Sequence, residues 1–279
     1  MTLPRVAVII SNYNYGEYVL DAIDSALKQD YEGDLRVYVL DDGSSDGSYE
    51  KLLAYAGENV SSITDKHEID EPYYKGPIEL FQCSDLNLWC YRINNSGAST
   101  ARNVAIWEAW DWADCFAILD ADDMYEESKV RKHVKAITKY DEVGVVYSDY
   151  VIHKTHYGRI DYKKYEYKYP YSLKELHHQC IVHSAGLIKK QYLQKVLLDN
   201  KEFYDSNLHG PASKGFIGCT EDYDLWLRLA NVCIINHIAE PLSFVRETGQ
   251  NQSMKMNGNI FTENMQKIRR RDEQIHTKN

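Results

Sequence analysis

Three carboxylates stand within four residues at the end of an apolar run, in the stretch AILDADDMY from Ala117 to Tyr125. Like charges so close repel one another, and a buried cluster protonates or recruits a counter-charge, so a positive partner is expected there. In an extended segment residues i and i+2 share a face, which lets Asp120 and Asp122 point together while Asp123 turns away or caps a helix beginning near Glu126. Two converging carboxylates at a strand end suit a hard divalent cation, Mg²⁺ or Mn²⁺, which takes one or two protein oxygens and completes its shell with phosphate and water. An acidic helix-capping turn would use the same residues, and the triplet alone does not separate the two readings.

A second acidic turn, DDGSSDGS (41–48), puts Asp42, Ser44, Asp46 and Gly47 at the first, third, fifth and sixth positions of a calcium loop. Its twelfth position is Leu53, where a bidentate Glu is required, so an EF-hand is excluded. What remains is an acidic strand end and a glycine turn, with Ser45 or Asp46 capping the next helix.

These turns need elements to hold them. RVAVII (5–10), LRVYVL (35–40), CFAIL (115–119) and VGVVYSD (143–149) read as buried strands. Between them run helical stripes: Val19, Ile23, Ala26, Leu27; then Tyr49, Leu52, Leu53, Ala56; then Ala101, Ala105, Ala109; then Val130, Val134, Ile137. Strands alternating with helices imply an α/β sheet covered by helices. The early strands end in polar residues, at Ser11 and Asn12, Asp41 and Asp42, Asp120 and Asp122, and in open α/β sheets the carboxyl ends of the strands form the ligand crevice.

With 279 residues, 44% of them hydrophobic and 27% charged, the chain can bury the core of one large domain or two intimate lobes. No run approaches the roughly eighteen apolar residues of a membrane span, and MTLPRVAVIIS lacks secretory-signal features, so a cytoplasmic protein is expected. The six cysteines show no CxxC spacing, which argues against a zinc knuckle or a disulfide framework. A net charge of −10 argues against a nucleic-acid partner. The tyrosine-rich tract 161–178 suits a folded-over loop or a binding lip. The C-terminal segment reads as a helix whose Lys267, Arg269, Arg270 and Arg271 form a solvated end, with contact to the inner face of an anionic membrane as the alternative.

Five motifs in order, VAVIISNYNYGEYVLDAIDSALKQDY, VYVLDDGSSDGS, NNSGASTARNVAI, FAILDADD and TEDYDLWLRL, resemble family 2 glycosyltransferases over about residues 4–147 and 180–247. The resemblance implies the GT-A fold: an α/β, Rossmann-like, mostly parallel sheet flanked by helices. It implies one domain over 1–250, with 1–130 binding the nucleotide sugar and 131–250 the acceptor, followed by a helical tail at 251–279. By likeness to the family, Ser11 and Tyr13 flank the nucleoside and Asp42 bonds the base edge. Arg102 faces the donor, Asp120 lies by the ribose, and Asp122, with Asp120 beside it, ligates Mn²⁺ or Mg²⁺ on the diphosphate. Asp222 corresponds to the catalytic base, with Glu221 next to it.

The activity so implied is inverting transfer of a sugar from a nucleotide-sugar donor, UDP by default, to a hydroxyl of a carbohydrate, lipid-linked or protein acceptor. Two alternatives stay open: a GT-A-like protein that binds nucleotide sugars without transfer, and a nucleotidyltransferase. Departures from the family pattern are visible too. Thr248 and Gly249 stand where many members carry a late metal-binding His, and the signature and membrane helices of processive synthases are absent, so a single-addition enzyme is expected. Residues 63–91 exceed the usual connection, and a hairpin or lid over the donor would account for them. His183 with Ser184, and His209 with Gly210, are weaker candidates for the acceptor side.

Overall fold

A computed structural model describes residues 2–56, 65–83, 86–156, 159–166, 170–208, 220–249, 251 and 258–277. Its centre is a run of parallel strands: β1 (Val6–Asn12) lies between β2 (Leu35–Asp41) and β6 (Cys115–Asp120), and β2 pairs on its other side with β5 (Leu88–Ile93). Alternation along β1 explains its continuous apolar sequence. Val6, Val8 and Ile10 join one core layer with α1 (Val19–Leu27), α2 (Ser48–Ala56) and α4 (Lys129–Ile137), while Ala7 and Ile9 join the other with α3 (Ala98–Ala109). A strand buried on both faces has no polar position to offer until its end.

The flanks are antiparallel. β3 (Asp65–Glu71) and β4 (Tyr74–Cys83) form a hairpin that pairs through β4 with β5. The segment 63–91 thus widens the sheet at its edge as a hairpin, and none of its described residues lines the cavity at the strand ends. On β3 only Ile69 is buried and most of the other side chains are exposed.

On the far side β6 pairs with β10 (Leu187–Lys189), β10 with β8 (Val143–His156), and β8 with β11 (Ile234–Glu247), which carries the short β7 (Met124–Tyr125). The tyrosine-rich tract begins in β9 (Arg159–Glu166), which pairs antiparallel with β8, so residues 161–166 are a sheet strand and not a loop, while 167–169 lie outside the described residues. After α5 (Leu173–His178) and α6 (Lys190–Lys195) come α7 (Glu221–Ala230) and α8 (Gly258–Thr277). α8 is helical as expected, with Lys267, Arg269 and Arg270 exposed, but Arg271 is turned inward into ion pairs. No helix among the described residues is long and apolar enough to cross a membrane. Cys83, Cys90 and Cys115 are buried free thiols, Cys180 and Cys233 are also unbridged, and Cys219 lies outside the described residues.

Candidate active site

Parallel register brings the polar strand ends level: Asn12 sits opposite Asp41, and Ser11 opposite Asp120. The loops that follow are stitched together. Asn12 Nδ2 donates to Asp41 Oδ1 at 2.8 Å, the Asn14 amide to Ser44 Oγ at 2.9 Å, the Ser45 amide to Asn14 Oδ1 at 2.8 Å and the Gly16 amide to Asp46 Oδ2 at 2.8 Å. Asp46 also accepts from the Ser48 amide at the start of α2, which makes it the residue at that helix start, as the acidic turn predicts. Tyr13 and Tyr15 are carried on this loop to the cavity wall.

Asp42 binds the turn that leads into α3. Its Oδ1 accepts from the Ser96 amide at 2.7 Å and its Oδ2 from the Gly97 amide at 2.8 Å and Asn95 Nδ2 at 3.0 Å. Burial pushes the Asp42 carboxyl up to about 7 against the pull of those two amides. Gly43 is required beside it: its φ is +69°, and a Cβ there would stand 2.8 Å from the Asn95 nitrogen.

The three carboxylates at the end of β6 and in the turn after it separate into three environments. Asp120 accepts from Arg102 Nη2 at 2.8 Å and Ser184 Oγ at 3.1 Å. Burial alone would raise it, but the Arg102 guanidinium outweighs burial and holds the carboxyl below its usual range. Asp122 accepts from Asn251 Nδ2 at 2.9 Å, and burial, with Asp120 adding its charge, pushes it up to about 7. Asp123 accepts the Arg246 amide at 2.9 Å, and burial raises its carboxyl well above the ordinary value. It still lines the cavity and caps no helix: pairing of β7 with β11 carries it against Arg246, and the amide before α4, at Ser128, donates to Glu126 Oε2.

The expected counter-charge for this cluster is Arg102. Buried beneath the cavity, it lies 2.8 Å from Asp120, 2.8 Å from Glu221 and 3.7 Å from Asp222, with the Tyr204 ring 5.3 Å from its guanidinium carbon. Burial pushes the Asp222 carboxyl up to about 7; Arg102 pulls it down, while Glu221 and Asp120 push it further up. A quarter of the Asp222 side chain, 25%, remains exposed, against 6% for Glu221.

These segments enclose a cavity of about 300 Å³. Ser11, Tyr13, Asp42, Arg102, Asp120, Asp122, Glu221 and Asp222 all line it, so the residues singled out from five separate stretches meet in one place. His183 and Ser184 line it as well, with His183 Nδ1 accepting the Ala185 amide; His209 and Gly210 lie outside the described residues. Sequence reasoning placed Asn12 only among the polar strand ends, and missed Tyr15 and Asn251. Asn12 and Tyr15 flank residues already chosen, whereas nothing local marks Asn251, whose amide spans Asp122 and the Arg246 carbonyl.

Six carboxyl groups line the cavity (Asp42, Asp120, Asp122, Asp123, Glu221, Asp222) against one guanidinium, Arg102. Among the described residues no three His, Cys, Asp or Glu side chains form a ready metal cage. Asp120 is paired with the Arg102 cation and Ser184, whereas Asp122 accepts from the neutral Asn251 amide, so its carboxyl can still give an oxygen to a cation that draws its remaining ligands from a polyanion and water.

The Glycosyl transferase family 2 profile matches residues 7–68 and 84–197, and the chain belongs to that family. An uncharacterised glycosyltransferase of Rickettsia typhi is 26% identical over 235 residues, covering 82% of this chain and 59% of that protein. The putative teichuronic acid biosynthesis glycosyltransferase TuaG of Bacillus subtilis is 29% identical over 132 residues, 47% of this chain and 41% of that protein. The chain thus spans 59% and 32% of the length of the first two Rickettsia relatives it matches. Among solved structures, residues 1–349 of Staphylococcus aureus TarS in complex with UDP-GlcNAc superpose with a TM-score of 0.65 at 17% identity, over 95% of this chain and 65% of that one. The mannosyltransferase PcManGT of Pyrobaculum calidifontis, in complex with GDP-Man and Mn²⁺, gives 0.56 at 18% identity, over 88% and 57%. The architecture is the GT-A fold.

Proposed function

We propose that the protein is an inverting, metal-dependent glycosyltransferase that moves a sugar from a nucleotide-sugar donor, UDP-linked by preference, to a hydroxyl of a carbohydrate, lipid-linked or protein acceptor. The observation that carries this reading is the charge balance of the cavity, six carboxyls to one guanidinium. To the extent that these carboxyls are ionised, a diphosphate entering among them calls for a cation, and a carboxyl beyond those that a cation needs is left to act as a base. Residues 1–130 form the donor half and 131–250 the acceptor half. TarS binds UDP-GlcNAc and PcManGT binds GDP-Man, which supports a nucleotide-sugar donor on this scaffold.

In this mechanism Ser11 and Tyr13 flank the nucleoside, Asp42 stands at the base edge and Asp120 by the ribose. Asp122 would hold Mn²⁺ or Mg²⁺, which would supply positive charge against that gathering on a departing diphosphate. Asp222 accepts the proton of the acceptor hydroxyl as its oxygen bonds to the anomeric carbon. The bond from that carbon to the diphosphate oxygen breaks at the same time, and its electron pair leaves with the nucleotide. Attack opposite the leaving group inverts the anomeric centre. Glu221 anchors Arg102, which keeps Asp222 facing the cavity.

The test is Mn²⁺-dependent hydrolysis across a panel of nucleotide sugars, with binding followed by melting temperature. Asp222→Asn keeps donor binding and loses turnover by about 10²–10⁴-fold, the usual worth of a general base. Turnover near the wild-type rate in that variant places the base elsewhere. Binding without release from any donor marks a protein that holds nucleotide sugars and does not transfer them.

A further inference from the structure

The C-terminal helix α8 makes contacts that a solvated appendage has no use for. Asn264 is 1% exposed, and its Nδ2 donates both to the Leu208 carbonyl at 2.8 Å and to Thr220 Oγ1 at 3.0 Å. Thr220 is the residue before α7, and its side chain makes no cap to that helix. Two turns further along α8, Arg271 reaches Asp224 at 2.6 Å and Asp205 at 2.5 Å. Asp224 sits in the first turn of α7, and Asp205 follows Tyr204, the ring against Arg102.

We propose that α8 is the brace of the catalytic helix, and that Asn264 and Arg271 are positioning residues which set where the first turn of α7, and with it Asp222, stands in the cavity. The inference rests on the reading of Asp222 as the base. The geometry is specific to that turn. Asn264 holds the residue two before Asp222, Arg271 holds the residue two after it, and the same guanidinium secures the loop at Asp205 that carries Tyr204 against Arg102. A helix start whose own threonine is spent on a neighbouring helix depends on that neighbour to keep its place. Arg271 suits the task because its planar fork gives each carboxylate its own nitrogen, Nη1 to Asp224 and Nη2 to Asp205, a fixed spacing that the single nitrogen of a lysine does not provide.

The experiment compares Asn264→Ala, Arg271→Gln, Arg271→Lys and Asp222→Asn in the full chain. Three quantities are read: UDP affinity with Mn²⁺, Mn²⁺-dependent hydrolysis of UDP-GlcNAc, and amide hydrogen exchange. Asn264→Ala and Arg271→Gln are expected to raise exchange at residues 222–225 by about tenfold or more, while amides of β1 and β2 stay protected. UDP affinity stays within about twofold, and hydrolysis falls roughly 10- to 100-fold, the scale of a displaced catalytic group. Arg271→Lys, with the charge but not the fork, falls between. If exchange rises evenly over the whole chain, if the first turn of α7 stays as protected as in the wild type, or if it loosens with hydrolysis unchanged, α8 is packing and no brace. If Asp222→Asn hydrolyses donor at the wild-type rate, the base assignment fails on its own account, and the exchange data still decide whether α8 fixes that turn.

Discussion

Arg102 governs the chemistry of the cavity through the company it keeps. The resemblance assigned it to the donor, and it does line the cavity, yet its guanidinium is shared among Asp120, Glu221 and Asp222. One cation divided among three anions cannot fully stabilise each, which is why Asp120 is held low while Asp222 is driven up to about 7 by burial. A base must be unprotonated to work, so turnover with saturating donor and Mn²⁺ is expected to climb as pH rises through about 7 and then to level off. A rate profile flat from pH 5 to pH 9 would remove Asp222 from that role. Pairs such as Arg102 with Glu221, separated by 119 residues, could not be read from the chain, because charge and motif position say which residues come to a site and not which of them join hands.

At the scale of elements, α3 is tied to the cavity from beneath by Asn103. Its Nδ2 donates to the Tyr204 carbonyl at 2.8 Å, and its Oδ1 accepts the Phe203 and Tyr204 amides at 3.0 and 2.9 Å. Asn103→Ala strands these buried backbone groups, each at a cost of about 1–3 kcal/mol, and the loss is expected in full in a urea unfolding curve. The first, second and sixth strands were legible because burial on both faces demands unbroken apolar sequence. LWCYRI was not recognised as β5, since it follows a polar hairpin and carries Arg92 near its end, where the guanidinium pairs with Asp41. β9 was hidden for a related reason: a strand rich in Tyr and Lys lacks the apolar alternation by which strands are found. Neither alternative offered for Asp123, turning away or capping a helix, foresaw its partner, because the Arg246 amide arrives only when β7 meets β11.

The whole molecule sacrifices stability at its site. Asp42, Asp122 and Asp222 are each pushed by burial from an ordinary value of 3.8 up to about 7. Between those limits the folded chain binds more protons than the unfolded one, so these groups support folding fully below about 4 and withdraw that support as pH rises through about 7. Asp122→Asn, with no charge to bury, is therefore expected to melt above the wild type at pH 8, with the difference shrinking toward pH 5. UDP with Mn²⁺ should raise the wild-type midpoint at pH 8 and leave the variant's nearly unmoved; equal midpoints of the two proteins at both pH values would contradict this account. At one end of the sheet, β3 closes the row of strands with Asp65, Glu68, Asp70 and Glu71 against Lys66 within the strand, Asp70 pairing with Lys75 and Glu71 with Lys201. Unclaimed backbone donors and acceptors on such a border invite a twin molecule to dock alongside and seed a growing fibre. Here the arriving twin would bring the same acids against the same acids, so the border refuses its own kind, and crowded solutions of this protein should stay clear where an apolar border would cloud.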